Sequence, residues 1–290
     1  MINIKNLKVN FALLSKGIGV TCITIVNTFF PLNTFAQEVN CVNFWTNPNT
    51  GENECFSSEM TTIAEPKLVL PLSHNSSFPD IYNIGGQQIS IPNPDRYVSI
   101  TPEMDGLYRL YKSTKDPYYK LLAFYIPQSD AEIAMRGEIP SSSTGFYFGV
   151  LKIAEKKFTT PQDFAEIKTA IKSQNKENQA FNVSKLQEIV NENGKSISKE
   201  LGVDLALKVS QAIPLDPHYE SENVFSYSVY LVSQISSMGE QQEYVMAATA
   251  TLVNLSGKIV SFYSYGEQTD LEWTQKASRA WANKVIADNL

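Results

Sequence analysis

From Gln87 to the C-terminus the chain switches between two hydrophobic periods, and their order predicts the fold. Gln88-Ile89-Ser90-Ile91 is apolar at every second position and stops at Pro92 and Pro94. Tyr97-Val98-Ser99-Ile100 then resumes the same period, the mark of a strand with one buried face. Tyr119 to Ile126, closed by Pro127, and Gly145 to Ile153 are almost continuously apolar and predict buried strands. The polar stretch 128–144 between them predicts a loop.

The middle of the chain changes to a helical repeat. Thr160 offers a cap, Pro161 suits the first helical position, and Asp163 places an acid in the first turn. Phe164, Ile167 and Ile171 then fall on one face. Ser184-Lys185-Leu186-Gln187 is a capping box for a second helix, striped by Leu186, Val190, Ile197 and Leu201 and ended by Gly202. Asn193-Gly194 is a candidate break within it. Val203 to Gln211 reads as a further strand. Phe225 to Leu231, Tyr244 to Val253 and Ile259 to Tyr265 follow, joined by turns at Met238-Gly239 and Asn254–Gly257, the pattern of an antiparallel meander. Thr269-Asp270-Leu271-Glu272 caps a last helix, in which Trp273, Ala277, Trp281 and Val285 recur every four residues. Core packing is the expected use of that stripe, with a two-Trp ligand platform as the alternative. Strands, two helices, a meander and a helix, without βαβ alternation, predict an α+β domain: a mainly antiparallel sheet covered by helices.

Three segments precede this domain of residues 87–290. Residues 1–36 follow the export pattern: Lys5, Lys8 and Lys16, then a largely apolar Gly17–Leu32, then Thr34-Phe35-Ala36. This predicts a signal peptide cut between Ala36 and Gln37. Residues 37–56 hold Cys41 and Cys55, an even pair in an exported chain. Their spacing predicts a disulfide stapling a short hairpin about Asn47-Pro48-Asn49-Thr50-Gly51, contributing ~3 kcal/mol by loop closure. Residues 57–86, with Pro66, Pro71, Pro79 and Gly85-Gly86, read as a linker or arm.

Charge narrows the partners. The formal charge is −6, and the three lysines of residues 1–36 are the only charges there, so the mature chain stands near −9. A negative surface without a basic run argues against nucleic-acid binding. After signal cleavage no stretch is apolar enough to span a membrane.

Candidate chemistry is sparse. His74 and His218 are the two histidines, neither with a helical His or Glu partner, so a metal site is not predicted. There is no Gly-x-Ser-x-Gly elbow, and Gly194-Lys195-Ser196 lacks the glycine spacing of a phosphate loop and sits in a helical pattern. No catalytic residue, metal ligand or cofactor site is therefore assigned. Asp270 and Glu272 read as capping residues. Asn75, Asn182 and Asn254 begin glycosylation sequons.

Leu252 to Tyr265, with Asp270-Leu271-Glu272-Trp273 and Trp281, resembles exported hypothetical proteins of Gram-negative bacteria that share a strand, a Gly-Lys turn, an aromatic-rich strand and a helix with two spaced Trp. The strand-Pro-strand opening and the final helix resemble the Mog1/PsbP-like α/β/α sandwich. These resemblances imply fold and a periplasmic or secreted address, and transfer no catalytic residue. The functional expectation is a non-enzymatic module that binds an envelope protein partner or supports an envelope assembly, its oligomeric state left open. Two alternatives make different structural demands. A hydrolase needs a cleft holding titratable groups with displaced pKa values, and a small-ligand carrier needs a deep apolar cavity.

Overall fold

A computed structural model describes residues 44–46, 53–55 and 79–289, apart from 115, 117, 178–182, 203, 238 and 239. The signal peptide, the Ala36–Gln37 cleavage site, Cys41, His74 and most of the arm lie outside the described residues.

β1 (Phe44–Thr46) and β2 (Asn53–Cys55) pair antiparallel. Their register sets Phe44, not a cysteine, opposite Cys55. The hairpin backbone is present, but a Cys41–Cys55 disulfide is not among the described contacts.

β3 (Asp80–Ile84) and β4 (Gln87–Ile91) form a second hairpin across Gly85-Gly86, so the strand pairing straddles the arm-to-domain boundary expected at Gln87. β5 (Tyr97–Ser99), β6 (Tyr119–Pro127), β7 (Gly145–Leu151), β8 (Leu205–Pro214), β9 (Tyr219–Glu220), β10 (Val224–Ser237), β11 (Glu240–Leu255) and β12 (Lys258–Glu267) make one open sheet. Its order is β5-β6-β7-β12-β11-β10-β8, with β9 beside β10, and every pairing is antiparallel. The described residues form six α-helices: α1 (Asp105–Ser113), α2 (Ala131–Met135), α3 (Lys152–Glu155), α4 (Pro161–Glu177), α5 (Val183–Leu201) and α6 (Leu271–Asn289).

The chain crosses one face through α4 and α5, lays the meander back against β7, and covers the other face with α6. Leu107, Phe164, Val190 and Ile197 meet Tyr147, Tyr227 and Tyr263 on the first face. Trp281, Ala282 and Val285, with Ile89 and Ile91 of the second hairpin, meet Phe146, Phe148 and Phe262 on the other. Period two in β12 thus sends Tyr263 and Phe262 into different cores.

Both faces are therefore dry. Ser226, Ser228, Thr249 and Thr251 occupy the polar positions of the meander, yet each is fully buried. They are satisfied by one another and by α6. Ser226 pairs with Thr251 at 2.6 Å and Ser228 with Thr249 at 2.8 Å. Thr249 meets Thr274 at 2.9 Å, and Thr251 meets Ser278 at 2.7 Å. Buried hydroxyls survive only when paired. The helix face that docks is consequently centred on Thr274, Ser278, Trp281, Ala282 and Val285, while Trp273 and Ala277 lie at its margin.

Other expectations move by a few residues. The run expected as strand through Ile153 ends at Leu151 and turns into α3, leaving Ile153 72% exposed. The stretch 128–144, expected as a loop, contains α2. α5 passes unbroken through Asn193-Gly194, and Gly194 lies over Leu207 of β8. Gln187, expected in a capping box, instead donates Nε2–H to Leu207 O at 2.7 Å and accepts from Val209 N–H at 2.8 Å. This amide imitates a neighbouring strand on the sheet edge, where unpaired backbone groups invite aggregation. The last capping box forms between Glu267 and Asp270 rather than at Thr269, and Glu272 pairs with Lys276 on an exposed surface. The Thr160–Asp163 cap forms as expected. Asp163 N–H donates to Thr160 Oγ1 at 3.1 Å, while the Thr160 hydroxyl at 2.7 Å and then its N–H at 2.9 Å donate to Asp163 Oδ2 and hold that carboxyl below its usual range.

Candidate functional site

The β11–β12 turn is where strands, α3, α4 and α6 converge. Leu255 and Lys258 are opposed across Ser256-Gly257, whose φ values are 49° and 78°. Two left-handed residues make the tight hairpin turn whose twist matches the flanking strands. Gly257 is also required by space: a Cβ there would stand 2.2 Å from the Phe158 ring.

The segment after α3 is stitched across this turn. Thr159 N–H donates to Gly257 O at 2.8 Å, and Asn254 Nδ2–H donates to Thr159 O at 3.3 Å. Lys258 is only 5% exposed; its ammonium donates to Lys157 O at 3.0 Å and Glu155 O at 3.2 Å. Buried charge is tolerable when its donors are used, and these carbonyls are groups that the short α3 leaves without helical partners. The Gly-Lys turn thus has a structural task, anchoring the strap 155–159 over the sheet end.

Beside the strap lies an open groove of about 300 Å³, lined chiefly by Phe158, Pro161, Asn223, Asn254, Ile286 and Asn289. None of its described lining residues is ionisable. Asn254 is 7% exposed, and its Oδ1 has no hydrogen-bond partner among the described residues. Phe158, by contrast, is 68% exposed. Asn289 is fully used: it accepts from Ser90 N–H at 2.9 Å and donates to Ser90 O at 2.7 Å, tying the β3–β4 hairpin to α6. The burial of Asn254, with its Nδ2 already committed, closes that sequon in the folded chain. Asn75 and Asn182 lie outside the described residues.

Sequence reasoning missed this groove, because its amides come from three separate turns and helix ends. The Asn-Leu-Ser-Gly turn was legible; the strap crossing it was not.

The remaining candidates resolve into packing. Trp281 donates Nε1–H to Pro92 O at 2.7 Å and packs edge-on against Phe262, Tyr125 and Phe146. Trp281 is core, and Trp273 is partly buried and packs against its edge. Tyr263 donates to Tyr119 at 3.0 Å, and Tyr119 meets Ser261 at 3.1 Å in the opposite core. Burial pushes the Tyr263 hydroxyl well above its usual range, which holds it neutral rather than activating it. Gly194-Lys195-Ser196 lies inside α5. Among the described residues no group of three or more His, Cys, Asp and Glu side chains could hold a metal ion. No described helix is long and apolar enough to cross a membrane.

His218 is half-buried, and both ring nitrogens lack hydrogen-bond partners among the described residues. Burial first, and the Arg279 guanidinium second, lower its pKa from 6.5 to about 4. The folded chain keeps this imidazole neutral, whereas the unfolded chain takes up a proton once pH falls below 6.5. Stability linked to His218 is therefore complete above pH 6.5 and is lost as pH falls towards 4. Partial exposure and solvent screening reduce the effect to about 1–2 kcal/mol. Urea denaturation at neutral pH and at the lower end of this window should show His218→Leu losing less stability on acidification than the wild type. Equal losses would remove His218 as the cause.

No protein-family model matches the chain, and no curated protein is significantly similar to it.

Proposed function

We propose that the protein is an exported, non-enzymatic binding module that docks an envelope partner through the corner formed by α3 and its flanks. The observation that carries this reading is a concentration of outward apolar side chains. Ile153 is 72% and Tyr118 53% exposed. The hydrogen bond from Lys152 N–H to Tyr118 O draws Tyr118 beside Ile153. Large apolar side chains gathered on a surface otherwise rich in charge are what protein interfaces use. The corner is also well braced, by the Lys258 ammonium and by the Lys120–Glu155 ion pair.

The address rests on the export pattern of residues 1–36 and on the resemblance of residues 252–281 to exported proteins of Gram-negative bacteria. A Cys41–Cys55 disulfide belongs to the same proposal, since an exported chain meets an oxidising compartment.

The test combines processing with retention. The mature protein should begin at Gln37 on N-terminal sequencing and remain with washed envelope fractions. Tyr118→Asp/Ile153→Asp changes only exposed side chains, and should release the protein while leaving its thermal unfolding unchanged. A cytosolic chain that keeps Met1, or a double variant retained like the wild type, would overturn the proposal.

A further inference from the structure

We propose that the groove beside Phe158 binds a neutral sugar ring. This rests on reading the chain as a binding protein but concerns a different surface from the Tyr118–Ile153 corner.

Three features of the groove specify its occupant. The first is charge. The protein is acidic overall, yet none of the described lining residues is ionisable. An ionic ligand would find no counter-charge among the described lining residues, so an uncharged molecule is favoured. The second is the aromatic face. Phe158 rests against Gly257, where a Cβ would overlap the ring at 2.2–2.8 Å, and 68% of the residue remains exposed. Gly257 thus lets the ring lie close to the turn while its outer surface is left for a ligand with an apolar face.

The third is an unanswered acceptor. Asn254 Nδ2 is spent on Thr159 O, but Oδ1 of the same amide has no partner among the described residues, in a side chain 93% buried by its 7% exposure. A buried unpaired oxygen is unfavourable, and a donor entering the groove would relieve it. Oδ1 is closed to bulk solvent, so pairing requires the groove wall over Asn254 to open as the ligand enters.

A molecule with an apolar C–H face, an edge of O–H donors and no charge is a pyranose. The groove volume, about 300 Å³, is at the small end of ligand pockets and suits one ring rather than a long chain. The sugar would set its C–H face on Phe158 and direct a hydroxyl towards Asn254 Oδ1.

The experiment titrates the mature protein with N-acetylglucosamine trisaccharide and maltotriose, followed by amide NMR and calorimetry. Glucosamine trisaccharide and galacturonate trisaccharide serve as cationic and anionic counterparts. The expected result is saturable binding of a neutral saccharide, with shifts at Gly257 and the strap, and clear preference over both charged sugars. Phe158→Ala should weaken this binding about tenfold or more, as expected for loss of an aromatic contact. Asn254→Ala, checked for a native amide spectrum, should weaken it as well. Absence of saturable binding, equal binding of the charged sugars, or undiminished binding by Phe158→Ala would overturn the proposal. Because the envelope-retention variant leaves Phe158 and Asn254 intact, loss of retention with sugar binding unchanged separates the two surfaces.

Discussion

Trp281→Ala is expected to destabilise the domain by about 3–5 kcal/mol, the largest single effect available in this molecule. The indole is 2% exposed and wedged among Tyr125, Phe146 and Phe262, with ring centroids 5.1, 5.3 and 4.6 Å away. Truncation removes those contacts and opens a cavity that aromatic neighbours on a rigid sheet cannot collapse to fill. It also strips Pro92 O of its donor, held at 2.7 Å, leaving a carbonyl unpaired near the core. For a domain of this size the loss corresponds to a fall in Tm of roughly 6–20 °C. Trp281→Phe should keep most of the apolar contact and sacrifice the indole N–H, costing about 1–3 kcal/mol. Chemical denaturation followed by far-ultraviolet circular dichroism reads both. A Trp281→Ala protein as stable as the wild type would mean that α6 does not close this core.

Gly85→Ala is expected to cost about 2–4 kcal/mol, although Gly85 lies in a segment that reads as linker. Its φ is +55°, and a Cβ there would lie 1.8 Å from Glu155 O and 2.7 Å from Lys258 Nζ. The first neighbour is backbone, so the hairpin tip or α3 has to move. Movement of α3 also disturbs the Lys258 bonds that hold the strap 155–159. Gly86 supplies the control. It too has positive φ, +90°, but nothing lies within 4 Å of its added Cβ. Gly86→Ala therefore carries only the conformational cost, about 1–2 kcal/mol. Comparing the two unfolding midpoints separates close approach from backbone strain; equal losses would show that the contact with Glu155 adds nothing.

These variants also show what the chain made legible. Helix α4 could be placed from Thr160-Pro161 and Asp163, because capping chemistry is local and its three hydrogen bonds close within four residues. The β11–β12 turn was equally legible, since Ser256-Gly257 must reverse the chain where two alternating runs meet. α1 was harder. Its nine residues, with Leu107, Leu110 and Tyr111 inward, carry a short pattern that only the aromatic face above β6 and β7 makes decisive. Ser226, Ser228, Thr249 and Thr251 mark only the polar positions of the meander, because period two reports polarity without saying what covers it. Only the arrival of Thr274 and Ser278 on α6 turns that stripe into a buried hydroxyl seam.

The candidate groove marks the same division. Asn223, Asn254 and Asn289 are 31 and 35 residues apart along the chain, and no spacing rule joins them. By itself the sequence determined most strands of the main sheet, the three long helices and the antiparallel meander, because hydrophobic period, caps and turns act over one to four residues. Tertiary structure alone decided which polar stripe was dry, where Gly85 could tolerate no side chain, and which amide was left unpaired. Those outcomes depend on contacts between distant segments, whose distances are set only when both faces of the sheet are covered.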